Sequence, residues 1–202
     1  MQSTLKKVVM RMRRLGNRRV FASGQFLDLG TRRAVDLALH RLTKDGVVRR
    51  LARGLYDLPV TDPQLGILTP PVEDIAKALK GRDAIRLQPS GAYAANLLGL
   101  STQVPMRVLF LTDGSSRRVQ VGKLQIVFKH TSPRNMATAG KVSGLVIQAL
   151  RHIGRDNIDD QVIRTLRRRL SAEDKKQLLK DVRFAPAWVA DRMKQIAQQA
   201  EA

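Results

Sequence analysis

Several residue types are scarce or absent in this chain, and each absence removes a class of function. The 202 residues include no cysteine, which excludes disulfides, thiolate zinc sites and a cysteine nucleophile. Aromatic residues make up only 4% of the chain, which argues against binding single strands through stacked bases. The sequence contains no apolar run near the roughly 18–20 residues of a membrane span, and no signal-peptide core. We therefore expect a cytoplasmic protein.

Acidic residues are also scarce. The chain has 37 Lys+Arg against 17 Asp+Glu, for a formal net charge of +20 and a pI of about 11.4. Such an excess opposes self-association at low salt and favours a polyanionic partner, with nucleic acid as the leading candidate. Positive charge is densest at the start, where residues 1–60 hold 14 basic and 4 acidic side chains.

Motifs that would indicate an enzyme are missing. The three histidines are far apart and form no HxH or HExxH pattern, and no GxSxG, GxGxxG or P-loop occurs. The carboxylate pairs Asp159-Asp160 and Glu173-Asp174 fall at predicted helix starts, where capping explains them. We predict no enzymatic activity, no catalytic residue, no metal site and no cofactor. An enzyme whose site is assembled only in three dimensions remains an alternative.

The most informative stretch runs from Thr31 to Pro59. Thr31 is a good N-cap, the apolar residues that follow recur at helical spacing, and Asp45-Gly46 ends the helix where a left-handed residue is needed. The segments 47–51 and 55–58 have strand composition and are joined by a short turn at Ala52-Arg53-Gly54. A basic helix followed by a basic hairpin predicts a winged helix-turn-helix.

The residues expected to contact DNA lie on the exposed face of this helix and on the hairpin. We place the predicted recognition helix in the major groove of double-stranded DNA, where its side chains would reach bases or phosphates. The ordinary alternative is that the charges form only a solvated helix face. The predicted DNA-binding residues are Thr31, Arg32, Arg33, Asp36, His40, Arg49, Arg50 and Arg53.

The chain is expected to divide into two domains of an α+β protein. Residues 1–60 form the winged helix-turn-helix domain, which begins with a helix over residues 5–15, a strand over 19–21 and a short helix capped by Ser23. Residues 61–71 form a Pro-rich linker. Residues 72–202 form a larger mixed α/β domain with an antiparallel sheet and several C-terminal helices.

The larger domain begins with a helix over residues 72–79, a strand over 84–88 and a helix over 90–98. Three strands, over 106–112, 117–121 and 124–130, then predict an antiparallel meander. Four helices follow, over 142–152, 160–170, 172–182 and 186–198. The third of them is capped by Ser171. The arginines of the helix over 160–170 are either a solvated face or a second phosphate track.

Four segments of the chain resemble AbiEi-type antitoxins of bacterial type IV toxin–antitoxin systems. The resemblance extends from about Leu5 to Trp188, and the second segment is its most specific part. The segments are RLTKDGVVRRLARGLYDLP (41–59), SGAYAANLLGLSTQVP (90–105), LTDGSSR (111–117) and VIQALRHIG (146–154).

The resemblance implies an autorepressor whose winged helix-turn-helix binds inverted repeats in its own promoter. It also implies a C-terminal domain needed for antitoxin activity and a neighbouring toxin of nucleotidyltransferase type, while direct contact with that toxin stays open. By position, Arg32, Arg33, Arg49, Arg50 and Arg53 match the basic DNA-facing surface of the family. The expected protein is a monomer that binds paired sites cooperatively. A winged-helix regulator with a ligand- or partner-sensing second domain and no toxin is the alternative.

Overall fold

The structure is a computed structural model that describes residues 3–15 and 20–198, and it has the expected α+β fold. The chain forms two compact units. The first contains Met1–Ala84 and Gln120–Gly122, and the second contains Ile85–Val119 and Lys123–Ala202. The first unit thus extends beyond the predicted boundary at residues 60–72.

The described residues of the first unit form three α-helices and two small sheets. Its elements are α1 (Thr4–Leu15), β1 (Val20–Ala22), a 3-10 helix (Ser23–Leu29), α2 (Arg32–Lys44), β2 (Arg49–Ala52), β3 (Leu55–Asp57), β4 (Thr61–Asp62), β5 (Gly66–Ile67) and α3 (Val72–Asp83).

The core of the first unit lies where α1, the 3-10 helix and α2 meet. Apolar residues at helical spacing direct one face of α1 and one face of α2 into this core, and Phe21 and Phe26 fill it with an edge-to-face contact at 5.4 Å. The residues of α2 that are buried here are Val35, Ala38, Leu39 and Leu42. One face of α2 is therefore committed to packing, and its other face is exposed.

A three-stranded antiparallel sheet with the order β1-β3-β2 completes this core. The predicted first strand is confirmed from Val20, while Arg19 lies outside the described residues. The second helix differs from the prediction because it is a 3-10 helix and Ser23 does not cap it.

The Pro-rich segment after β3 is more ordered than a linker. Strands β4 and β5 pair as a small antiparallel hairpin, and the Asp62 carboxylate accepts the N–H groups of Gln64 and Leu65 in its turn. Helix α3 follows and contacts β1 of the same unit. The predicted linker therefore forms part of the first unit.

The second unit combines one sheet with a group of helices. Its elements are β6 (Leu87–Ser90), α4 (Gly91–Leu97), β7 (Arg107–Thr112), β8 (Arg117–Val121), β9 (Leu124–His130), α5 (Pro133–Met136), α6 (Val142–Ile153), α7 (Asp160–Arg169), α8 (Ala172–Asp181) and α9 (Ala187–Ala197), with short 3-10 helices at Arg155–Asn157 and Val182–Phe184. The last two residues of β8, Gln120 and Val121, group with the first unit.

The predicted meander is wrong, although the three strands lie where the sequence placed them. The strand order is β6-β7-β9-β8, with β6 antiparallel to β7 and β7 parallel to β9. Strands β7 and β9 take the two inner places and each contains a run of three buried residues, whereas the first four residues of β8 alternate between half-buried and exposed, as in an edge strand. Pro89 in β6 is tolerated because β6 forms the other edge.

The C-terminal helices pack around α6, most of whose residues are buried. All four predicted helices are present within about two residues of their expected ends, the usual uncertainty of helix boundaries. Ser171 and Asp174 form the capping box that starts α8. Of the helices that the structure describes, none has both the length and the apolar character needed to cross a membrane.

Candidate nucleic-acid interface

The start of helix α2 holds two arginines in its first turn. Thr31 has extended backbone angles and its Oγ1 accepts the N–H of Ala34 at 3.3 Å, so the predicted cap is confirmed. Arg32 and Arg33 follow directly and are both exposed. The cap therefore fixes where the helix begins and places both guanidinium groups at its N-terminal end.

The exposed face of α2 carries most of the predicted contact residues. Asp36 and His40 follow Arg32 and Arg33 at helical spacing on this face. Leu37 lies among them with 49% of its surface exposed, and sequence reasoning missed it because a leucine in an amphipathic helix is expected to be buried. The face is therefore mixed in chemistry, with cations, a carboxylate, an imidazole and one apolar side chain.

Arg32 and Asp36 form an ion pair within this face. The Nε of Arg32 donates to Oδ2 of Asp36 at 3.0 Å, one helical turn away, and the two side chains are 64% and 50% exposed. Such an exposed pair contributes about 0.3–0.5 kcal/mol, so DNA can break it at little cost. Arg33 has no ion-pair partner among the described residues, which makes it the freer of the two arginines.

Arg49 is only half-exposed, and its guanidinium is engaged within the first unit. Its guanidinium donates to both oxygens of the Asp57 carboxylate, at 3.1 and 2.6 Å, and to the carbonyl oxygen of Leu68 at 2.8 Å. The Asp57 side chain is only 3% exposed. Arg49 thus compensates a buried charge and ties the hairpin to the segment after β5, and we leave it out of the proposed interface.

The other hairpin arginines are placed differently. Arg50 is exposed in β2, and Arg53 is exposed in the turn before Gly54. The turn needs Gly54 because its φ is +69°. A register shift between Arg50 and Ala52 interrupts the pairing of β2 with β3. The hairpin therefore presents two of the three predicted arginines on its surface.

Helix α1 adds positive charge to the first unit. One of its arginines, Arg11, donates to both carboxylate oxygens of Asp28, at 2.6 and 2.8 Å. This hydrogen bonding holds the pKa of Asp28 below its ordinary value. The remaining described cations of the helix are exposed; they are Lys6, Lys7, Arg13 and Arg14.

Helix α7 of the second unit uses one of its arginines in internal hydrogen bonds. Arg167 donates from Nε and Nη2 to the carbonyl oxygen of Gln195, at 3.1 and 2.8 Å. The guanidinium of Arg169 lies against the backbone of Gly99. Arg164, Arg168 and Arg169 are all exposed, so three of the four arginines of the possible phosphate track remain on the surface, although Arg169 also lies against Gly99.

A buried carboxylate that the sequence did not reveal lies in the second unit. Asp181, 3% exposed, accepts hydrogen bonds from Ser143, Gln177 and Lys141. Burial raises its pKa, but these bonds and the Lys141 charge outweigh it, so the pKa is below the ordinary value. The Asp181 carboxylate joins α6 to α8. Lys141 and Ser143 lie about 40 residues before it in the sequence, so no local motif reveals these contacts.

The three histidines lie on different elements. The Nδ1 of His130 lies 3.0 Å from the carbonyl oxygen of Gly114, while His40 is on α2 and His152 is on α6. Within residues 3–15 and 20–198, no group of three or more His, Asp or Glu side chains could hold a metal ion. Among the described residues, we therefore take the exposed basic side chains of the first unit as the candidate functional site.

Comparison with known proteins identifies a family. A model of the family of unknown function DUF6088 matches residues 7–178, and the chain belongs to this family. None of the curated proteins matches it. Among solved structures, the chain is similar to the crystal structure of the RV2827C protein from Mycobacterium tuberculosis, with 16% identity, a TM-score of 0.46, and coverage of 96% of this chain and 76% of that one. That likeness is too distant to carry a functional assignment.

Proposed function

We propose that this member of the DUF6088 family is a sequence-specific DNA-binding antitoxin that represses its own operon in the cytoplasm. The observation that carries the DNA-binding part is the exposed face of α2, which presents Arg33 and its neighbours from a helix whose opposite face is buried in the core. The order of α1, the 3-10 helix, α2 and the β2–β3 hairpin is also the order expected of a winged helix-turn-helix.

The dimensions of α2 suit a major groove. Thirteen residues make a helix about 20 Å long and 10–12 Å wide with side chains, and the groove is about 12 Å wide. In helix-turn-helix complexes the first turn of the recognition helix points at base edges. Arg33 would therefore make a bidentate contact with guanine, and Arg32 would do so after leaving Asp36.

The remaining exposed side chains of α2 have chemistry that suits other bases. A carboxylate such as Asp36 accepts from the amino group of cytosine, and an apolar side chain such as Leu37 contacts the methyl group of thymine. Arg50 and Arg53 of the hairpin would hold phosphates and add affinity with little sequence preference. The proposed interface therefore separates base reading on α2 from backbone holding on the hairpin.

The antitoxin part of the proposal rests on the resemblance of four segments to AbiEi-type antitoxins. Three of those segments lie mainly in the second unit, at residues 90–105, 111–117 and 146–154. We therefore assign neutralisation of a nucleotidyltransferase-type toxin to the second unit. The proposed operator is a pair of inverted repeats that two monomers occupy cooperatively.

The test compares binding to the operator and to a scrambled duplex. Arg33→Ala should remove about 1–3 kcal/mol of discrimination and bring operator affinity toward that for scrambled DNA. Arg50→Ala should weaken both complexes equally and make the salt dependence shallower by about one. Lys80→Ala, which removes an exposed cation from α3, is the matched control and should change neither. If Arg33→Ala keeps the full operator-to-scrambled ratio, α2 does not read the sequence.

A further inference from the structure

The sheet of the second unit carries an open basic groove of about 450 Å³. None of the described residues that line it is acidic. Its lining residues are Arg107, Leu109, Ser116, Arg117, Arg118, Val127, Phe128 and Lys129. We call it the sheet groove.

The pairing of β7 with β9 places two of its cations on one face. The register pairs Arg107 with Gln125, Leu109 with Val127, and Leu111 with Lys129. Side chains of a strand alternate between faces, and paired residues of parallel strands share a face. Arg107 and Lys129 therefore lie on the same face of the sheet, at opposite ends of the paired segment.

Strand β8 adds a third cation to this face. The guanidinium of Arg117 lies 5.0 Å from the centre of the Phe128 ring, and Phe128 is on the face opposite Lys129. Alternation along β8 then puts Arg118 on the face of Lys129. Three strands thus each supply one exposed cation to the sheet groove.

These charges are not compensated locally. Arg107, Arg118 and Lys129 are exposed, and none of them has an ion-pair partner among the described residues. Asp113, at the end of β7, is engaged by the backbone N–H and Nε of Arg86 at 2.8 and 2.7 Å. Ser116 Oγ accepts the N–H of His130 at 2.9 Å and keeps its own hydrogen to donate. The sheet groove therefore attracts anions and can donate hydrogen bonds to them.

The spread of the cations favours a chain of phosphates over a single one. Arg107 and Lys129 are separated by four residues along the strand direction and by one strand spacing, which puts their Cα atoms about 14 Å apart. Phe128 is 1% exposed, so the groove offers no aromatic platform on which bases could stack. Contacts here would be made to a backbone and would not depend on base sequence.

We propose that the sheet groove is a second nucleic-acid site, which binds the phosphate backbone of a strand through Arg107, Arg118 and Lys129. This site is built from other elements than α2 and does not depend on the proposed reading of the operator. The strand belongs either to DNA flanking the operator or to a separate nucleic acid, and both present the same phosphodiester chemistry.

The experiment uses the full-length chain with all three cations replaced, R107Q/R118Q/K129Q. The matched control is R155Q/K176Q/K180Q, which removes the same charge from exposed positions elsewhere in the second unit. Binding of a labelled oligodeoxythymidine strand and of the operator duplex is measured over a range of salt concentrations. Melting curves confirm that both variants are folded.

The proposal predicts that only the sheet-groove variant binds one of the two probes at least tenfold more weakly, with a salt slope shallower by about 2–3. A loss confined to the operator duplex assigns the groove to flanking DNA. A loss confined to the single strand, also seen with operator-saturated protein, assigns it to a separate nucleic acid. Equal behaviour of the groove and control variants toward both probes would overturn the proposal, whatever Arg33→Ala does.

Discussion

Replacing Arg49 by methionine tests whether this hairpin arginine has a structural role. The change keeps a side chain of similar length but removes three hydrogen bonds, two to Asp57 and one to the carbonyl oxygen of Leu68. Asp57, whose side chain is 3% exposed in the native chain, would lose its only ion-pair partner among the described residues. The free energy of opening the hairpin should therefore fall sharply.

The expected magnitude comes from the cost of an unpaired buried charge. Breaking a buried ion pair by removing one partner costs about 3–5 kcal/mol. The Arg49 side chain is 30% exposed, so water already screens the pair, and we expect the lower end, about 3 kcal/mol. Arg50→Met, in the same strand but exposed, is the matched control and should change stability by no more than about 0.5 kcal/mol.

Hydrogen exchange of the peptide covering residues 49–57 measures this local stability directly. A loss of about 3 kcal/mol corresponds to amide exchange more than about 100-fold faster in Arg49→Met. The double variant Arg49→Met/Asp57→Asn should recover part of the loss, because no buried charge is left unpaired. Exchange in Arg49→Met that matches Arg50→Met would refute the structural role, and Arg49 would return to the proposed interface.

Other contacts give further measurable expectations. Gly144→Ala should destabilise the second unit by about 1–3 kcal/mol in urea unfolding, because the new Cβ would collide with the backbone oxygen of Thr138 and the side-chain oxygen of Gln88; the control Gly81→Ala meets nothing within 4 Å and should not destabilise. The pKa of Asp181 is below its ordinary value of 3.8, so its stabilisation is complete above that pH and is lost as the pH falls through the lowered pKa. Unfolding midpoints measured down to about pH 3 should therefore fall more for the native chain than for Asp181→Asn. A fragment of residues 1–84 should retain DNA binding but fail to protect cells that express the toxin, and full protection by it would remove the second unit from antitoxin activity.

Features set by neighbouring residues were predictable from the sequence. The Thr31 cap, the Gly46 stop with φ of +71° and the Ser171 capping box each depend on residues within a few positions of one another. Strand β8 was located correctly because its ends are marked by turn residues on both sides. Local signals thus fixed the position of α2 and of the first-turn arginines.

Features that depend on distant residues were not predictable. The inward direction of Arg49 requires Asp57 and also Leu68, which is 19 residues away. The buried Asp181 is recognised by Ser143, 38 residues earlier. The predicted strand order was wrong for the same reason, because the parallel pairing of β7 with β9 joins strands that are not consecutive in the sequence.

The strand order β7-β9-β8 has a consequence for the time course of folding. Strands β8 and β9 are joined by the two-residue turn Gly122-Lys123 and can meet early, whereas β7 must wait for β9 to be synthesised and inserted beside it, since non-local pairing is slow. Arg107 comes from β7, while Arg118 and Lys129 come from the later pair. A newly made chain therefore brings Arg107 beside Arg118 and Lys129 only after β7 has docked against β9.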